Sequence, residues 1–342
     1  MIRKSIARIL AGNDLLEEEA FAAMGDIMDG SATSAQIGAL LAALRIKGET
    51  IDEIAGCARA MRSRVVRVPV DVPGPLLDTC GTGGDGAGTF NISTAVAFVA
   101  AGAGARVAKH GNRSISSKCG SADVLEALGV RVTLDPAAIS KAIEEIGLGF
   151  LFAPSHHPAM KHAMGPRREL GVRTVFNVLG PLTNPAGATR QLMGVFDVNL
   201  VEPLARVLGQ LGAERAAVVA GEEGLDELSP VGRTRIARWG DGRVEVERVS
   251  AADFGLEPCP VEALGGGDAE ENAAIIRAIL GGAQGPPTDA VLMNAAVALW
   301  AAGIAESTGE GLEAARQALS SGRAAAILDD YASYTREDVH GS

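Results

Sequence analysis

The spacing of apolar residues predicts that the first seventy residues are helical. The clearest apolar face is formed by Ile37, Leu40, Leu41 and Leu44, at positions i, i+3, i+4 and i+7. Gly48 follows as an expected helix end, and Thr50 with Glu53 forms a capping-box pattern that predicts the start of the next helix. We therefore expect a small helical domain over residues 1–70. Its apolar face at 37–44 is a candidate surface for self-association.

Prolines at positions 69, 73 and 75 end the helical region, and strand-like runs then alternate with helix-like runs. The predicted strands are 76–80, 106–109, 130–134, 149–153 and 216–220. Alternation of this kind predicts βαβ units around a mostly parallel sheet. A basic helical insert at about 160–185 interrupts the alternation and is expected to return to the helical domain. The predicted α/β domain thus comprises residues 74–158 and 190–340, with a hairpin turn at Asp241-Gly242 and a helical C-terminal part.

Composition narrows the class of protein. The 342 residues are 47% hydrophobic and 21% charged, as in globular proteins with a large core. Acidic residues exceed basic ones by 42 to 31, and the net charge of −11 disfavours binding to nucleic acid, which depends on neutralising phosphates. The four cysteines lack metal-ligand spacing and are expected to be buried free thiols. Because no signal-peptide pattern and no bilayer-length apolar run occurs, we expect a cytoplasmic protein.

The candidate chemistry begins with a glycine-rich stretch directly after the first predicted strand. Residues 81–91 read Gly-Thr-Gly-Gly-Asp-Gly-Ala-Gly-Thr-Phe-Asn and lead into a predicted helix. Glycines let backbone N–H groups approach an oxyanion closely, and the N-terminus of a helix adds partial positive charge. Asn91, Ser93 and Thr94 add side-chain donors. The stretch matches neither the dinucleotide fingerprint nor the nucleotide-binding P-loop. It therefore predicts another kind of anion site, although a tight turn without a ligand has the same composition.

A second polar stretch follows the second predicted strand. Residues 109–117 read Lys-His-Gly-Asn-Arg-Ser-Ile-Ser-Ser. Lys109 and Arg113 supply positive charge, and the serines supply short hydroxyl donors. Ligands of open α/β sheets bind where the strands end. The two stretches together therefore predict a site for a phosphorylated or pyrophosphorylated substrate.

Two further pairs of charged residues extend this prediction. Asp226 and Glu227 follow a strand-like run, and adjacent carboxylates suit a hard cation such as Mg²⁺ when a substrate phosphate completes its ligands. Ser93 is a candidate third ligand. Arg167 and Arg168 could bind a carboxylate in bidentate fashion. Such pairs are also common on solvated turns and helix faces, so they gain weight only beside the predicted pyrophosphate site.

The motifs together resemble those of the anthranilate phosphoribosyltransferase family along the whole chain. The resemblance is carried by Gly-Thr-Gly-Gly-Asp at 81–85, Asn-Ile-Ser-Thr at 91–94, Lys-His-Gly-Asn-Arg at 109–113, Gly-Ser-Ala-Asp-Val-Leu-Glu-Ala-Leu-Gly at 120–129 and Arg-Arg-Glu-Leu-Gly-Val-Arg-Thr-Val-Phe-Asn at 167–177. It implies a homodimer, formed through the helical domain, of chains with a nucleoside phosphorylase/phosphoribosyltransferase-like α/β fold. It also implies Mg²⁺-assisted transfer of the phosphoribosyl group from 5-phosphoribosyl 1-diphosphate (PRPP) to the amine of anthranilate, in tryptophan biosynthesis.

The resemblance also implies roles for individual residues. The PRPP site would be lined by Gly81, Gly84, Asp85, Thr89, Asn91, Ile92, Ser93, Thr94, Lys109, His110, Gly111, Asn112, Arg113, Ser114, Ile115, Ser116, Ser117 and Ser121. The ligands of Mg²⁺ would be Ser93, Asp226 and Glu227. The contacts of anthranilate would be Gly81, His110, Asn112 and Arg167. Lys109 is expected to act in catalysis by neutralising the departing pyrophosphate.

Two other functions fit the same fold. A pyrimidine nucleoside phosphorylase would share the helical and α/β plan and a glycine-rich phosphate loop, but it would need no Mg²⁺. Residues 91–94 and the Asp226-Glu227 pair favour the phosphoribosyltransferase over this alternative. A non-enzymatic relative that binds nucleic acid should carry a basic face, which the net charge of −11 disfavours.

Overall fold

The computed structural model describes residues 1–114 and 118–337. Its helices are α1 (Ile2–Leu10), α2 (Glu17–Met28), α3 (Ser34–Lys47), α4 (Ile51–Arg62), α5 (Ile92–Gly102), α6 (Ser121–Ala127), α7 (Pro136–Glu145), α8 (Ala153–His156), α9 (Lys161–Leu170), α10 (Phe176–Leu179), α11 (Val201–Gln210), α12 (Ala269–Leu280), α13 (Pro286–Ala302), α14 (Thr308–Ser320) and α15 (Arg323–Glu337). Within the described ranges, none of these helices has the length and apolar content needed to cross a bilayer.

One sheet of seven strands runs through the described residues, in the order β3-β2-β1-β4-β5-β6-β7. The strands are β1 (Leu76–Asp78), β2 (Arg106–Gly111), β3 (Leu148–Phe152), β4 (Arg190–Gly194), β5 (Arg215–Gly221), β6 (Thr234–Gly240) and β7 (Arg243–Val249). The first five strands in this order, from β3 to β5, pair in parallel. Strand β6 pairs antiparallel with both β5 and β7. Asp241 and Gly242 have φ values of 51° and 75°, as a two-residue hairpin turn requires. The predicted fold class and hairpin are confirmed.

The sheet separates two hydrophobic cores because successive side chains of a strand point to opposite faces. Leu192 and Val219 join the core that contains α5 and α13. Met193 and Val218 join the core that contains α4 and α11. The loops at the carboxyl ends of the parallel strands are therefore held from both sides by packed helices.

The helical N-terminal part begins and ends its helices as predicted. Helix α3 ends at Lys47, and Gly48 follows with a φ of 88°. At the start of α4 the Glu53 N–H donates to Thr50 Oγ1 at 3.3 Å, and the Thr50 N–H donates to Glu53 Oε2 at 2.8 Å. The predicted capping box is thus confirmed.

The apolar face of α3 is core, not surface. Its residues at 37, 40, 41 and 44 are each at most 2% exposed, and α3 packs against α1 and α9. The expectation that this face is a candidate surface for self-association is therefore wrong. A side chain that its own chain already removes from water gains little further free energy from an interface.

The insert after α8 packs against the N-terminal helices. Helix α9 contacts α2 and α3, and Ala163, Val175 and Phe176 are buried in the same core as these helices. The insert thus leaves the sheet and returns to it at β4. This arrangement places residues of the insert beside both parts of the chain.

Residues 130–134 do not form the strand that their pattern predicts. Val130, Val132 and Leu134 are buried and the residues between them are exposed, which is the expected alternation. The segment has no partner in the sheet, and the Arg131 N–H donates instead to Thr335 Oγ1 of α15 at 3.1 Å. The prediction was wrong because alternation reports one buried face and not the element that buries it.

The cysteines are all free thiols. Cys57 and Cys119 are buried, as expected. Cys80 and Cys259 are partly exposed, which corrects the expectation that all four are buried.

Candidate active site

The loops that follow β1, β4 and β5 touch one another through glycine backbones. A Cβ added to Gly81 would lie 2.9 Å from the carbonyl oxygen of Gly194, and the Thr82 N–H donates to that carbonyl at 2.9 Å. A Cβ added to Gly194 would lie 1.6 Å from the carbonyl oxygen of Asp226. Only glycine permits such close approach. Gly194 is a residue of the site that the sequence did not reveal, because this contact depends on how the strands are ordered.

The glycine loop, residues 81–91, leads directly into the N-terminus of α5. Gly83, Gly84, Gly86 and Gly88 have φ values of 65°, 80°, 75° and 67°, a backbone region that side chains disfavour. Helix α5 begins at Ile92, close to the predicted start. The loop therefore combines an adaptable backbone with the partially positive end of a helix, which suits an anion.

Lys109 lies at the centre of this edge of the sheet. Its side chain is buried, and Nζ donates to the Thr79 carbonyl at 3.2 Å, to Thr79 Oγ1 at 3.3 Å and to Ser93 Oγ at 3.3 Å. Burial lowers the pKa of the ammonium, whereas nearby acidic groups, including Asp78 and Glu227, oppose this shift. Strand β2 extends to Gly111, so Lys109 sits within a strand and its position is fixed before any ligand arrives.

Asp226 and Glu227 follow β5 and form a pair of partly exposed carboxylates. Burial, together with the neighbouring Asp85, raises the pKa of Asp226 to about 7. Burial and the charge of Asp226 also raise the pKa of Glu227 well above its ordinary value, while Lys109 opposes this shift. Carboxylates that repel one another in this way gain from a cation placed between them. With the hydroxyl of Ser93 they form an all-oxygen set that fits Mg²⁺.

The loop after β2 is held by α6. Ser121 Oγ accepts the Asn112 N–H and donates to the Asn112 carbonyl, both at 3.1 Å. The Arg113 guanidinium donates to Asp123 at 2.9 Å and to Glu126 at 2.6 and 2.7 Å. Arg113 is therefore already paired with two carboxylates of α6.

Other predicted site residues contact nearby segments of the chain. The Ser114 N–H donates to Asp123 Oδ2 at 3.1 Å, and Gly111 ends β2 so close to Ser121 that an added Cβ would lie 2.3 Å from its Oγ. Thr89 forms an isolated antiparallel bridge with Gly265. The predictions for Ile115, Ser116 and Ser117 lie outside the described residues.

Three side chains at the start of α5 differ in what they contact. Asn91 Nδ2 donates to the Cys119 carbonyl at 3.2 Å, and Asn91 Oδ1 accepts from Asn272 Nδ2 at 2.9 Å. The Thr94 hydroxyl is buried without a hydrogen-bond partner among the described residues, and Ile92 lies in the hydrophobic core. The Asn91 side-chain donor is therefore already used within the fold, whereas the Thr94 hydroxyl has no such partner among the described residues.

A buried histidine pair lies behind Lys109. The ring centroids of His110 and His157 are 5.1 Å apart. Burial, with a smaller contribution from His157, lowers the pKa of His110 well below its usual value. Asp78, Cys80 and His110 also bring potential metal-ligand atoms within 4.8 Å of one another. Sequence spacing could not show this grouping because the residues come from β1, the loop after it and β2.

We expect the stability of the protein to fall as the pH is lowered from about 7 to about 4, with His157 causing part of the loss. Burial lowers the pKa of His157 to about 4, whereas an unfolded histidine titrates near 6.5. Between these values the unfolded chain binds more protons than the folded chain, so acid favours unfolding. At pH 5 the effect is about 2 kcal/mol.

Denaturant unfolding at pH 7.5 and pH 5 checks this expectation. The loss of stability between the two pH values should be smaller in His157→Asn than in the parent chain. His162→Asn, which changes an exposed histidine on α9, should leave the loss unchanged. Equal losses in the parent chain and in His157→Asn would contradict the assignment.

Arg167 and Arg168 lie on α9. The Arg167 guanidinium stacks over Phe176, with Cζ 4.9 Å from the ring centroid, and burial lowers its pKa. Arg168 is exposed. A third arginine of the insert, Arg173, donates a hydrogen bond to the carbonyl of Gly84. In the sequence Arg173 is only one of several basic residues. Its contact with Gly84 could not be predicted because it depends on how the insert packs.

The chain matches known proteins over nearly its whole length. Residues 3–65 match the helical bundle domain of a glycosyl transferase family, and residues 73–325 match the a/b domain of that family. The anthranilate phosphoribosyltransferase of Thioalkalivibrio sulfidiphilus is 54% identical over 334 residues, which cover 98% of each chain. These relatives are phosphoribosyltransferases, which favours that expected function over a nucleoside phosphorylase or a nucleic-acid-binding protein.

Solved structures agree with the sequence relatives. The crystal structure of anthranilate phosphoribosyltransferase from Thermus thermophilus has a TM-score of 0.92 at 47% identity, covering 97% of this chain and 99% of that chain. The enzyme from Saccharomyces cerevisiae in complex with PRPP and Mg has a TM-score of 0.89 at 28% identity, covering 98% of both chains.

Proposed function

Because the chain belongs to the anthranilate phosphoribosyltransferase family, we propose that it transfers the phosphoribosyl group of PRPP to the amine of anthranilate. The products are N-(5-phosphoribosyl)anthranilate and pyrophosphate, in tryptophan biosynthesis in the cytoplasm. The main support is that a buried Lys109 lies close to Ser93 and to the Asp226-Glu227 pair beside the glycine loop. Consumption of anthranilate that requires both PRPP and Mg²⁺ tests it.

PRPP lies along the glycine loop and the end of β2 in this proposal. Among the described residues, its proposed lining comprises Gly81, Gly84, Asp85, Thr89, 91–94, 109–114 and Ser121. Glycines at positive φ let loop N–H groups converge on phosphate oxygens, as in other anion-binding loops. The relative from Saccharomyces cerevisiae binds PRPP and Mg, which supports the same ligands here.

Ser93, Asp226 and Glu227 would hold Mg²⁺. When bound, the ion supplies neutralisation of the charge that develops on the departing pyrophosphate. Asp85 accepts the Asp226 N–H at 3.4 Å and so fixes the turn that carries the two carboxylates. Burial and the neighbouring Asp85 raise the pKa of Asp226, and a bound cation would offset the repulsion between these carboxylates.

The reaction breaks the bond between C1 of the ribose and the diphosphate oxygen, and it forms a bond from C1 to the anthranilate nitrogen. The transition state is expected to be oxocarbenium-like, as in glycoside chemistry. An aryl amine is already unprotonated at neutral pH and needs no strong base before it attacks. It releases a proton once the new bond has formed. Catalysis is therefore mainly positioning and charge stabilisation, with Lys109 neutralising the leaving pyrophosphate.

Anthranilate is proposed to bind next to C1 of the ribose, near Gly81, His110 and Asn112, with its carboxylate on Arg167. Arg167 is a candidate because its guanidinium is partly buried and held over Phe176. A cation with few water contacts binds a carboxylate more strongly than an exposed one.

We expect Arg167→Ala to raise the KM for anthranilate about tenfold or more, since it removes a charged hydrogen-bond partner, while the KM for PRPP changes less. Steady-state kinetics with each substrate varied in turn measures the two constants. Arg168→Ala is the matched control, because Arg168 is the exposed neighbour on the same helix. A larger rise in the KM for PRPP would place Arg167 at the phosphate end instead.

We also propose that two chains associate through the helical domain. Leu10, Leu16 and Ile46 are 73%, 61% and 86% exposed, at the ends of helices that pack against one another. A contiguous exposed apolar patch is typical of an interaction surface, and in this proposal the three side chains contribute to one.

Light scattering on a sizing column should give twice the mass of one chain. Ile46→Asp should shift the equilibrium toward the single chain, because a charge in an apolar interface loses its water. Val246→Asp, at an exposed apolar position on β7, should not shift it. A single-chain mass for the parent protein would refute the dimer.

A further inference from the structure

The glycine loop is held at its two ends and through the Asp85 carboxylate, which accepts the N–H groups of Ala87 and Asp226. Thr82 donates to Gly194 at one end, and Gly266 donates to the Gly88 carbonyl at 2.9 Å at the other. Between them, Gly83 and Gly84 both adopt positive φ. Because Gly84 has no side chain, the peptide plane between residues 84 and 85 meets little steric resistance on its Gly84 side and can rotate unless other groups hold it.

Arg173 holds that peptide plane. Its guanidinium donates a hydrogen bond to the carbonyl of Gly84, and it stacks over Phe196 with Cζ 4.1 Å from the ring centroid. Stacking of this kind orients the guanidinium as well as attracting it. A charged donor also makes a stronger hydrogen bond to a carbonyl than a neutral donor does.

The backbone of Arg173 is anchored in a different part of the molecule. Gly171 ends α9 with a φ of 62°, and the Thr174 N–H donates to Asn177 Oδ1 at 3.0 Å. Val175 is buried in the core shared with the N-terminal helices. The hydrogen bond to Gly84 therefore ties the loop of the α/β domain to the insert that packs on the helical domain. The same insert carries Arg167.

We propose that Arg173 is a positioning residue that sets the direction of a backbone donor in the glycine loop for the diphosphate of PRPP, an inference that rests on the proposed function of that loop. The carbonyl and N–H of a trans peptide point in opposite directions. When Arg173 draws the Gly84 carbonyl toward itself, the N–H of Asp85 faces the other way. Arg173 thereby favours one loop conformation before the substrate binds, which lowers the cost of ordering the loop.

Two measurements on the full-length protein test this role. The first is hydrogen exchange at short labelling times in peptides that cover residues 82–87, where the Thr82 and Ala87 amides are hydrogen-bonded. Exchange should become roughly tenfold faster in Arg173→Ala and less so in Arg173→Lys, since lysine can still donate to Gly84. Arg168→Ala should match the parent chain.

The second measurement compares the effect on the KM for each substrate with the effect on kcat. Arg173→Ala should raise the KM for PRPP roughly tenfold, with kcat within about threefold of the parent and the KM for anthranilate little changed. Arg173→Lys should recover part of the loss.

The exchange measurement needs no turnover, so it separates this inference from the proposed function. If the parent chain does not turn over PRPP, the function fails, and exchange still decides whether Arg173 holds the loop. Exchange at 82–87 that is unchanged in Arg173→Ala overturns the inference. Faster exchange throughout the chain also overturns it, because Arg173 would then serve general stability.

Discussion

Replacing Lys109 by methionine is expected to lower kcat/KM for transfer by roughly 30- to 1000-fold, which corresponds to about 2–4 kcal/mol. The Lys109 ammonium is desolvated and held by Thr79 and Ser93. It can therefore stabilise charge on the departing pyrophosphate without first rearranging, which is where electrostatic catalysis gains most. Methionine keeps the length of the side chain and removes the charge.

Lys141→Met is the matched control for this variant. Lys141 lies on α7 with its side chain 61% exposed, so its replacement should leave kcat/KM unchanged. Melting temperatures of both variants show whether the fold is retained. If Lys109→Met folds and turns over at the parent rate, Lys109 has no part in stabilising the leaving group.

The second large effect is expected from Asp226→Asn combined with Glu227→Gln. Activity at a fixed Mg²⁺ concentration should fall by at least about 100-fold, since charge stabilisation by a bound metal supplies several kcal/mol. The Mg²⁺ concentration for half-maximal activity should rise as well. Stability of the metal-free chain should not fall, because the substitutions remove two carboxylates that burial and mutual repulsion disfavour.

Glu222→Gln combined with Glu223→Gln is the control for this pair. These carboxylates lie on the same turn and are exposed, so their loss should leave the Mg²⁺ titration unchanged. A metal titration of the Asp226 and Glu227 variant that superposes on that of the parent chain would remove the pair from the metal site.

Local sequence patterns predicted the helices and the parallel sheet well, because each pattern depends only on residues that are close together in the chain. The capping pair of Thr50 and Glu53 and the glycine after Lys47 act within one turn of helix. The run at 130–134 shows where such reasoning stops. Its alternation correctly gives the buried side chains, but the Arg131 N–H bonds to helix α15 and not to a strand.

The sequence predicted individual residues of the candidate site but not which of them contact one another. Residues at strand ends, such as Lys109 and Asp226, were identifiable because ligands of open sheets bind there. The pairing of Arg113 with α6, the contact of Gly194 with Gly81 and the bond from Arg173 to Gly84 join segments far apart in the chain. They follow from tertiary packing, which a single sequence does not display.

The proposed activity joins anthranilate to the phosphoribosyl group of PRPP at a Mg²⁺-dependent site. The most direct test follows the fluorescence of anthranilate after mixing with the purified protein. The fluorescence should decay only when PRPP and Mg²⁺ are both present, and one pyrophosphate should appear for each anthranilate consumed. Chelation of Mg²⁺ should stop the decay. Unchanged fluorescence under the complete conditions, with the protein folded, would show that the chain lacks this activity.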